Sequence, residues 1–128
     1  MLRSFDFDDT LLSFTLGPNE TMVQKLRDAY DEGDEIIIVT ARTDGVKSRL
    51  EIESFLAGVG VHSMITKVCF TAGGGKGEVI LDEALTLGHR EVVHYDDDED
   101  NLQEIRSWIP FAASKGVKIE VVHVDAGR

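Results

Sequence analysis

The chain has 128 residues, of which 42% are hydrophobic, and its formal net charge is −11; this composition predicts a single globular domain over residues 1–128. The acidic balance argues against tight non-specific binding to nucleic acid, although a nucleic-acid end held through a metal ion stays compatible with it. No stretch has the length and apolarity of a membrane span, and a single cysteine permits no intramolecular disulfide, so we expect a cytoplasmic protein with no membrane partner.

The first half of the chain predicts two strands and two helices. Leu2–Phe7 is a short apolar run, and Glu35–Thr40 is a continuous apolar run of the kind found in sheets covered on both faces. Between them, Asn19 can cap a helix over residues 19–32 that stops at a glycine. Asp44 can cap a second helix, over residues 44–58.

The second half continues the alternation. Strands are predicted at Lys67–Phe70, Glu91–Tyr95 and Val117–Val124, with helices over residues 76–87 and about 102–108, the latter ended by Pro110. Alternating strands and helices predict an α/β fold, here a Rossmann-like three-layer sandwich with a mainly parallel five-stranded sheet.

Candidate site residues, all but Ala41 polar, lie at or after the ends of the first four predicted strands. In an open α/β sheet, ligands bind beyond the carboxyl ends of the strands, so these residues are expected at one edge. They are Asp6 and Asp8 after the first strand, Thr40, Ala41 and Arg42 after the second, Lys76 after the third, and Asp96, Asp97 and Asp98 after the fourth.

The residue types at this edge suit phosphoryl transfer. Asp6 and Asp8 are two residues apart, so on an extended strand they share a face, where one could attack and the other could move a proton. We expect both to converge with Asp96 and Asp97, and such a cluster needs a cation. Hard carboxylate oxygens select Mg²⁺. Lys76 and a threonine hydroxyl suit the phosphoryl oxygens.

Four segments in order carry a family resemblance: DFDDT, IIIVTAR, a lysine at a helix start, and VVHYDDDEDN. This order resembles the four motifs of the haloacid dehalogenase (HAD) superfamily of phosphohydrolases. The resemblance implies that Asp6 is the nucleophile that forms an aspartyl-phosphate and that Asp8 is the general acid/base. It also implies that Thr40 and Lys76 hold the phosphoryl group, and we include the neighbouring Ala41 and Arg42 in the phosphate-binding set.

The resemblance also implies a Mg²⁺ site. Its ligands would be the Asp6 carboxylate, the backbone carbonyl of Asp8 and an acid after the fourth strand. We place the direct ligand at Asp97, with Asp96 and Asn101 close by. A frame one residue later, on Asp97 and Asp98, stays open.

No room for a cap domain is left in either loop that carries one in this superfamily. The loops, residues 8–18 and 71–75, are short. Capless members resemble enzymes that act on large substrates or whose site is shielded by a neighbouring subunit, so an oligomer is compatible with the sequence. A looser similarity to the phosphatase domains of polynucleotide-repair enzymes favours a phosphorylated substrate such as a nucleotide or a nucleic-acid end.

Two other functions compete with a phosphatase. A receiver-like phospho-aspartate signalling domain has the same architecture, but its acidic pair would follow the first strand. A catalytically silent HAD-fold binding module would keep the fold without turnover. Arg42 is open between a substrate contact and a surface ion pair. The four histidines and the cysteine are interpreted as structural or surface residues: His62, His89, His94, His123 and Cys69.

Overall fold

The structure, a computed structural model, describes residues 1–126 and forms strands and helices in alternation. The strands are β1 (Leu2–Phe5), β2 (Leu12–Ser13), β3 (Gly17–Pro18), β4 (Glu35–Thr40), β5 (Ile65–Phe70), β6 (Glu91–Asp96) and β7 (Lys118–His123). The α-helices are α1 (Glu20–Asp31), α2 (Val46–Gly58), α3 (Lys76–Leu87), α4 (Glu99–Ser107) and α5 (Ile109–Ser114), and a 3₁₀ turn covers His62–Met64.

Five of the strands form one parallel sheet in the order β5-β4-β1-β6-β7. The central strand is β1, and the chain first builds the sheet outward through β4 and β5. It then crosses back through α3 to β6 on the other side of β1. The predicted α/β fold with a parallel five-stranded sheet is confirmed. The direction in which strands are added reverses between β1 and β6, and open α/β sheets carry their ligand crevice at the carboxyl ends of the strands at such a reversal.

Helices cover both faces of the sheet, because alternate residues of each buried strand point to opposite faces. In β4, Ile36 and Ile38 pack with α1 and α2, whereas Ile37 and Val39 pack with α3, α4 and α5. All four side chains are fully buried. This confirms the three-layer sandwich.

Side-chain caps fix the start of α1 and α4, whereas α2 begins without one. Asn19 caps α1 as predicted, and its side chain accepts a hydrogen bond from the backbone N–H of Met22. The prediction that Asp44 caps α2 is wrong: Gly45 occupies the cap position and Asp44 instead forms an ion pair with Arg49. The fourth helix starts three residues earlier than predicted, because the side chain of Asp98 accepts hydrogen bonds from two backbone N–H groups of its first turn.

Two connections also differ from expectation. Pro110 lies in the first turn of α5, where its missing N–H costs nothing, so the chain continues into a second short helix after α4. The segment between β1 and α1 contains a small antiparallel hairpin of β2 and β3. Among residues 1–126, no helix combines the length and apolarity that crossing a membrane requires.

Candidate active site

Asp6 and Asp96 lie side by side because β1 and β6 are neighbours in the sheet. Phe5 is paired with Tyr95 in the register of the two strands, and the backbone N–H of Asp6 donates to the Tyr95 carbonyl at 2.9 Å. Asp96 is the last residue of β6 and is fully buried, and Asp6 is 6% exposed. The crevice at the centre of the sheet therefore carries two adjacent buried carboxyl groups.

Lys76 bridges these two carboxylates. Its Nζ lies 2.8 Å from Asp6 Oδ1 and 2.9 Å from Asp96 Oδ2, and the lysine is 1% exposed. It is the first residue of α3, so the helix begins at the site. Removing a charge of this kind from water is tolerated only where the ion pairs and hydrogen bonds are well formed, as they are here.

The first turn of α3 is fixed by α4. The backbone N–H of Gly77 donates to Glu104 Oε1 at 2.7 Å. Trp108 packs so closely on Gly77 that a Cβ there would lie 2.3 Å from the indole ring. Glycine is therefore required at this position, and α4 sets where Lys76 stands.

A third carboxylate, that of Asp97, completes an acidic cluster with Asp6 and Asp96. One oxygen of each lies within 4.8 Å of the others. The hydroxyl of Thr10 lies 3.0 Å from Asp6 Oδ2 and 3.3 Å from Asp97 Oδ1, but its one hydrogen can serve only one of them at a time. Three ionised carboxylates against one lysine leave two uncompensated negative charges, so a divalent cation fits this donor set.

The pKa values of the cluster show how the protein tolerates it without a cation. Burial raises the pKa of Asp6 to about 8, an effect that the charge of Lys76 opposes. Burial also raises the pKa of Asp97. Burial acts in the same sense on Asp96, but the hydrogen bond from His94 and the charge of Lys76 outweigh it and lower the pKa of Asp96. A proton on Asp6 therefore relieves the repulsion.

Asp8 lies apart from the cluster. Its two carboxylate oxygens accept hydrogen bonds from Arg42 Nη2 and Nε, both at 2.9 Å, and Arg42 Nη1 also donates to Glu51 Oε2 at 2.8 Å. The structure thus brings three of the four predicted acids together and places the fourth on Arg42. The catalytic role of Asp8 stays a prediction.

The remaining predicted phosphate-binding residues follow β4. Thr40 is fully buried, and its Oγ1 accepts a hydrogen bond from the backbone N–H of Arg42 at 3.2 Å. The exposed Ala41 accepts from the backbone N–H of Gly73 at 2.8 Å. This bond ties the loop to a turn in which Ala72 and Gly73 have positive φ angles of 52° and 77°. The loop after β4 is therefore tied to the loop after β5.

Three polar residues belong to the site although no role is predicted for them from the sequence. Thr10 contacts Asp6, and His94 lies 2.9 Å from Asp96 Oδ2 and 2.7 Å from Ser4 Oγ. The signals in the sequence were the position of Thr10 at the end of the DFDDT segment and the placement of Ser4 and His94 inside apolar strands. Asn101 lies near Asp96, as expected, at 3.5 Å.

The site therefore offers hard oxygen ligands, a buried lysine and an arginine at one edge of the sheet. This set can bind a divalent cation and neutralise a phosphoryl group. Comparison of the chain with protein-family models, with curated proteins and with solved structures gave no significant match, so the resemblance to the HAD superfamily stays a prediction.

Proposed function

We propose that this chain is a Mg²⁺-dependent phosphomonoesterase of the HAD type, which transfers the phosphoryl group to Asp6. The observation that carries the proposal is the placement of Lys76 between Asp6 and Asp96, with Asp97 beside them. Asp6 is a buried carboxylate that contacts a lysine, and its cluster of three carboxylates keeps two negative charges that a bound cation would offset. This arrangement suits attack on phosphorus. Phosphoryl transfer depends mainly on such positioning and charge neutralisation.

The cation would be held by Asp6 and Asp97, with the Asp8 carbonyl as third protein ligand by resemblance. When bound, Mg²⁺ supplies the positive charge that offsets the phosphoryl oxygens. Lys76 orients the Asp6 carboxylate through its 2.8 Å contact. Asp6 is 6% exposed and Lys76 1% exposed, so the burial of these two residues keeps bulk water away from the nucleophile.

The reaction would proceed in two steps. An Asp6 oxygen attacks phosphorus, the bond to the leaving oxygen breaks, and Asp8 gives that oxygen a proton. Asp8 then takes a proton from water, which attacks the aspartyl-phosphate and releases phosphate. Arg42 holds Asp8 before substrate arrives. A phosphate dianion offers Arg42 a further partner besides Asp8 and Glu51. The exchange frees Asp8 to take up from solvent the proton that it then gives to the leaving oxygen.

The strand order separates this proposal from a receiver-like signalling domain. Numbered along the chain within the five-stranded sheet, the order is 3-2-1-4-5. Receiver-like folds have the order 2-1-3-4-5. The acids also follow β1 and β6, with Phe70 at the end of the third strand. A binding module without turnover is separated by assay.

The experiment is a phosphatase assay with Asp6→Asn and Asp8→Asn. Asp6→Asn should abolish both turnover and the covalent intermediate, which is trapped with a fluoride analogue. Asp8→Asn should retain part of its activity on p-nitrophenyl phosphate, because a good leaving group needs less protonation. Asp100→Asn, at an exposed position in α4, is the matched control and should behave as wild type. Retention of more than a few per cent of activity by Asp6→Asn would refute the assignment of the nucleophile.

A panel of phosphoesters tests whether the enzyme prefers large or small substrates. We propose a large phosphorylated substrate, such as a nucleotide or a nucleic-acid end, because only the short β2–β3 hairpin is inserted after β1. The kcat/KM should be much higher for oligonucleotides with a 3′- or 5′-phosphate than for sugar phosphates. An equal value for a small sugar phosphate, in a protein shown to be monomeric, would contradict this substrate class.

A further inference from the structure

A line of buried polar side chains runs beneath the acidic cluster, on the face of the sheet that α3 covers. Ser4 of β1 and His94 of β6 are directly paired in the register of the two central strands. His94 and Asp96 are two residues apart on β6 and so share that face. All three residues are 0% exposed. Polar groups at this depth are costly unless each has a partner, so the contacts among them need an explanation.

The hydrogen bonds define the state of the His94 ring. An ionised carboxylate has no hydrogen to give, so His94 Nε2 must donate to Asp96 Oδ2 across their 2.9 Å contact. The ring nitrogen Nδ1 then accepts the hydroxyl hydrogen of Ser4 at 2.7 Å. Burial also lowers the pKa of His94, which is consistent with a neutral ring. Both nitrogens and the serine hydroxyl are thus satisfied in one arrangement.

This arrangement distinguishes two adjacent acids. Asp96 accepts hydrogen bonds from Lys76 and His94 at 2.9 Å and from the backbone N–H of Asp98 at 3.0 Å. Thr10, in contrast, reaches Asp97 at 3.3 Å. A carboxylate already bound by three donors is held in one orientation and has few lone pairs left for a cation. Asp97, whose contact with Thr10 is longer and is shared with Asp6, keeps more of its lone pairs for a cation.

We propose that His94, supported by Ser4, is a positioning residue that holds Asp96 against Lys76 and leaves the cation face of the site to Asp6 and Asp97. The inference rests on the proposed function, since it assigns His94 a part in building that site. His94 does not contact the reacting atoms. It acts on them through Asp96 and Lys76. Partners that orient metal-site and active-site groups in this way typically change metal affinity or activity by about 10–100-fold when removed.

The test compares three substitutions in β6. His94→Leu removes the donor to Asp96 with little change of volume. His94→Gln keeps an N–H donor and a carbonyl acceptor. Val92→Ala is the matched control, because Val92 is buried on the same face of β6, two residues before His94, and belongs to the apolar core.

Mg²⁺ affinity by calorimetry and the split between kcat and KM are measured for each variant. His94→Leu should weaken Mg²⁺ binding by about tenfold or more and lower kcat rather than raise KM. His94→Gln should recover to within a few fold of wild type. Val92→Ala should lose stability without change in Mg²⁺ affinity. Equal Mg²⁺ affinity and kcat in folded His94→Leu and Val92→Ala would overturn the proposal.

A spectroscopic measurement makes the inference independent of turnover. Nitrogen-15 NMR of the wild-type imidazoles, with His94→Gln used to assign the signal, should show a protonated Nε2 and a bare Nδ1. A proton on Nδ1 with a bare Nε2 would overturn the proposal. If His94→Leu does not fold, Ser4→Ala takes its place, and an unchanged Mg²⁺ affinity and kcat there would also count against it. If wild type binds Mg²⁺ but hydrolyses no phosphoester, the proposed function fails while the affinity and nitrogen shifts still decide the role of His94.

Discussion

Two cations at the carboxyl edge of the sheet are each held between two carboxylates, but at different depths. Lys76 lies between Asp6 and Asp96, and its side chain is 1% exposed while theirs are 8% and 0% exposed. Arg42 lies between Asp8 and Glu51. Its side chain is 15% exposed, and those of the two acids are each 38% exposed. Breaking a buried ion pair leaves a charge that water cannot hydrate, whereas the partners of an exposed pair are hydrated when they separate. Lys76 is therefore a fixed part of the site, and the ion pair of Arg42 with Asp8 is exchangeable.

The largest expected effect comes from removing the buried cation. Lys76→Met leaves Asp6 and Asp96 in the crevice without a positive charge, and breaking a buried pair from one side typically costs about 3–5 kcal/mol. The free energy of unfolding, measured by urea denaturation near pH 8, should fall by this order. Turnover should be lost as well. A loss below about 1 kcal/mol would show that the crevice is effectively solvated, and the contrast with Arg42 would fail.

Adding a divalent cation should stabilise the protein through the buried acidic cluster and not through the exposed Arg42 ion pair. Mg²⁺ at a hundredfold excess over its Kd should stabilise the protein by about 2.7 kcal/mol, which is roughly a 10 °C rise in melting temperature for a domain of this size. Asp97→Asn should raise the stability of the metal-free protein, since it removes a repelling charge, and should weaken the response to Mg²⁺. The exposed Asp100→Asn should respond as wild type does. Melting curves with Mg²⁺, Ca²⁺ and EDTA check this, and an unchanged wild-type melting temperature would contradict it.

The pH dependence of the free energy of unfolding should also come from the buried acidic cluster. The pKa of Asp6 is raised from 3.8 to about 8 in the folded protein. Between those values the folded state keeps a proton that the unfolded state has lost, so the free energy of unfolding should fall as pH rises through this window. The slope is at most about 1.4 kcal/mol per pH unit for one proton.

Urea denaturation in EDTA at several pH values up to about 8 measures this slope. Asp6→Asn, which cannot ionise, should flatten the curve. Saturating Mg²⁺ should flatten it too, because the cation replaces the proton. Asp100→Asn, outside the cluster, should keep the wild-type slope. Equal slopes in wild type and Asp6→Asn would contradict the assignment of the proton to Asp6.

The sheet and the acidic cluster could be predicted from the sequence because both follow from patterns of one or two elements. Apolar runs such as Glu35–Thr40 indicate strands. Residues that follow parallel strands lie at the carboxyl edge of the sheet, which places Asp6, Lys76 and Asp96 together. These predictions need no knowledge of side-chain rotamers. They were confirmed for the parallel sheet and for the proximity of these residues.

Choices between competing partners could not be predicted in the same way. Asp44 was able to cap α2 or to pair with Arg49, and the energies of these options differ by less than sequence rules resolve. His94 is a single histidine in an apolar strand, which fits a core residue equally well whether or not it donates to Asp96. The difference lies in register across β1 and β6, which only the structure supplies.

The smallest expected effect on stability comes from replacing Arg42, the more exposed of the two cationic residues. Arg42→Gln breaks the contacts to Asp8 and Glu51, but both acids have side chains 38% exposed and can be hydrated when the arginine is gone. Exposed ion pairs contribute about 0–1 kcal/mol, so the free energy of unfolding should change by less than that, and high salt should shrink the difference further. The same substitution should raise KM for phosphoesters, because Arg42 is then missing as a phosphate partner. Urea denaturation paired with steady-state kinetics separates the two effects. A loss of stability comparable to that of Lys76→Met, or a KM equal to wild type, would show that Arg42 is a structural residue and not an exchangeable one.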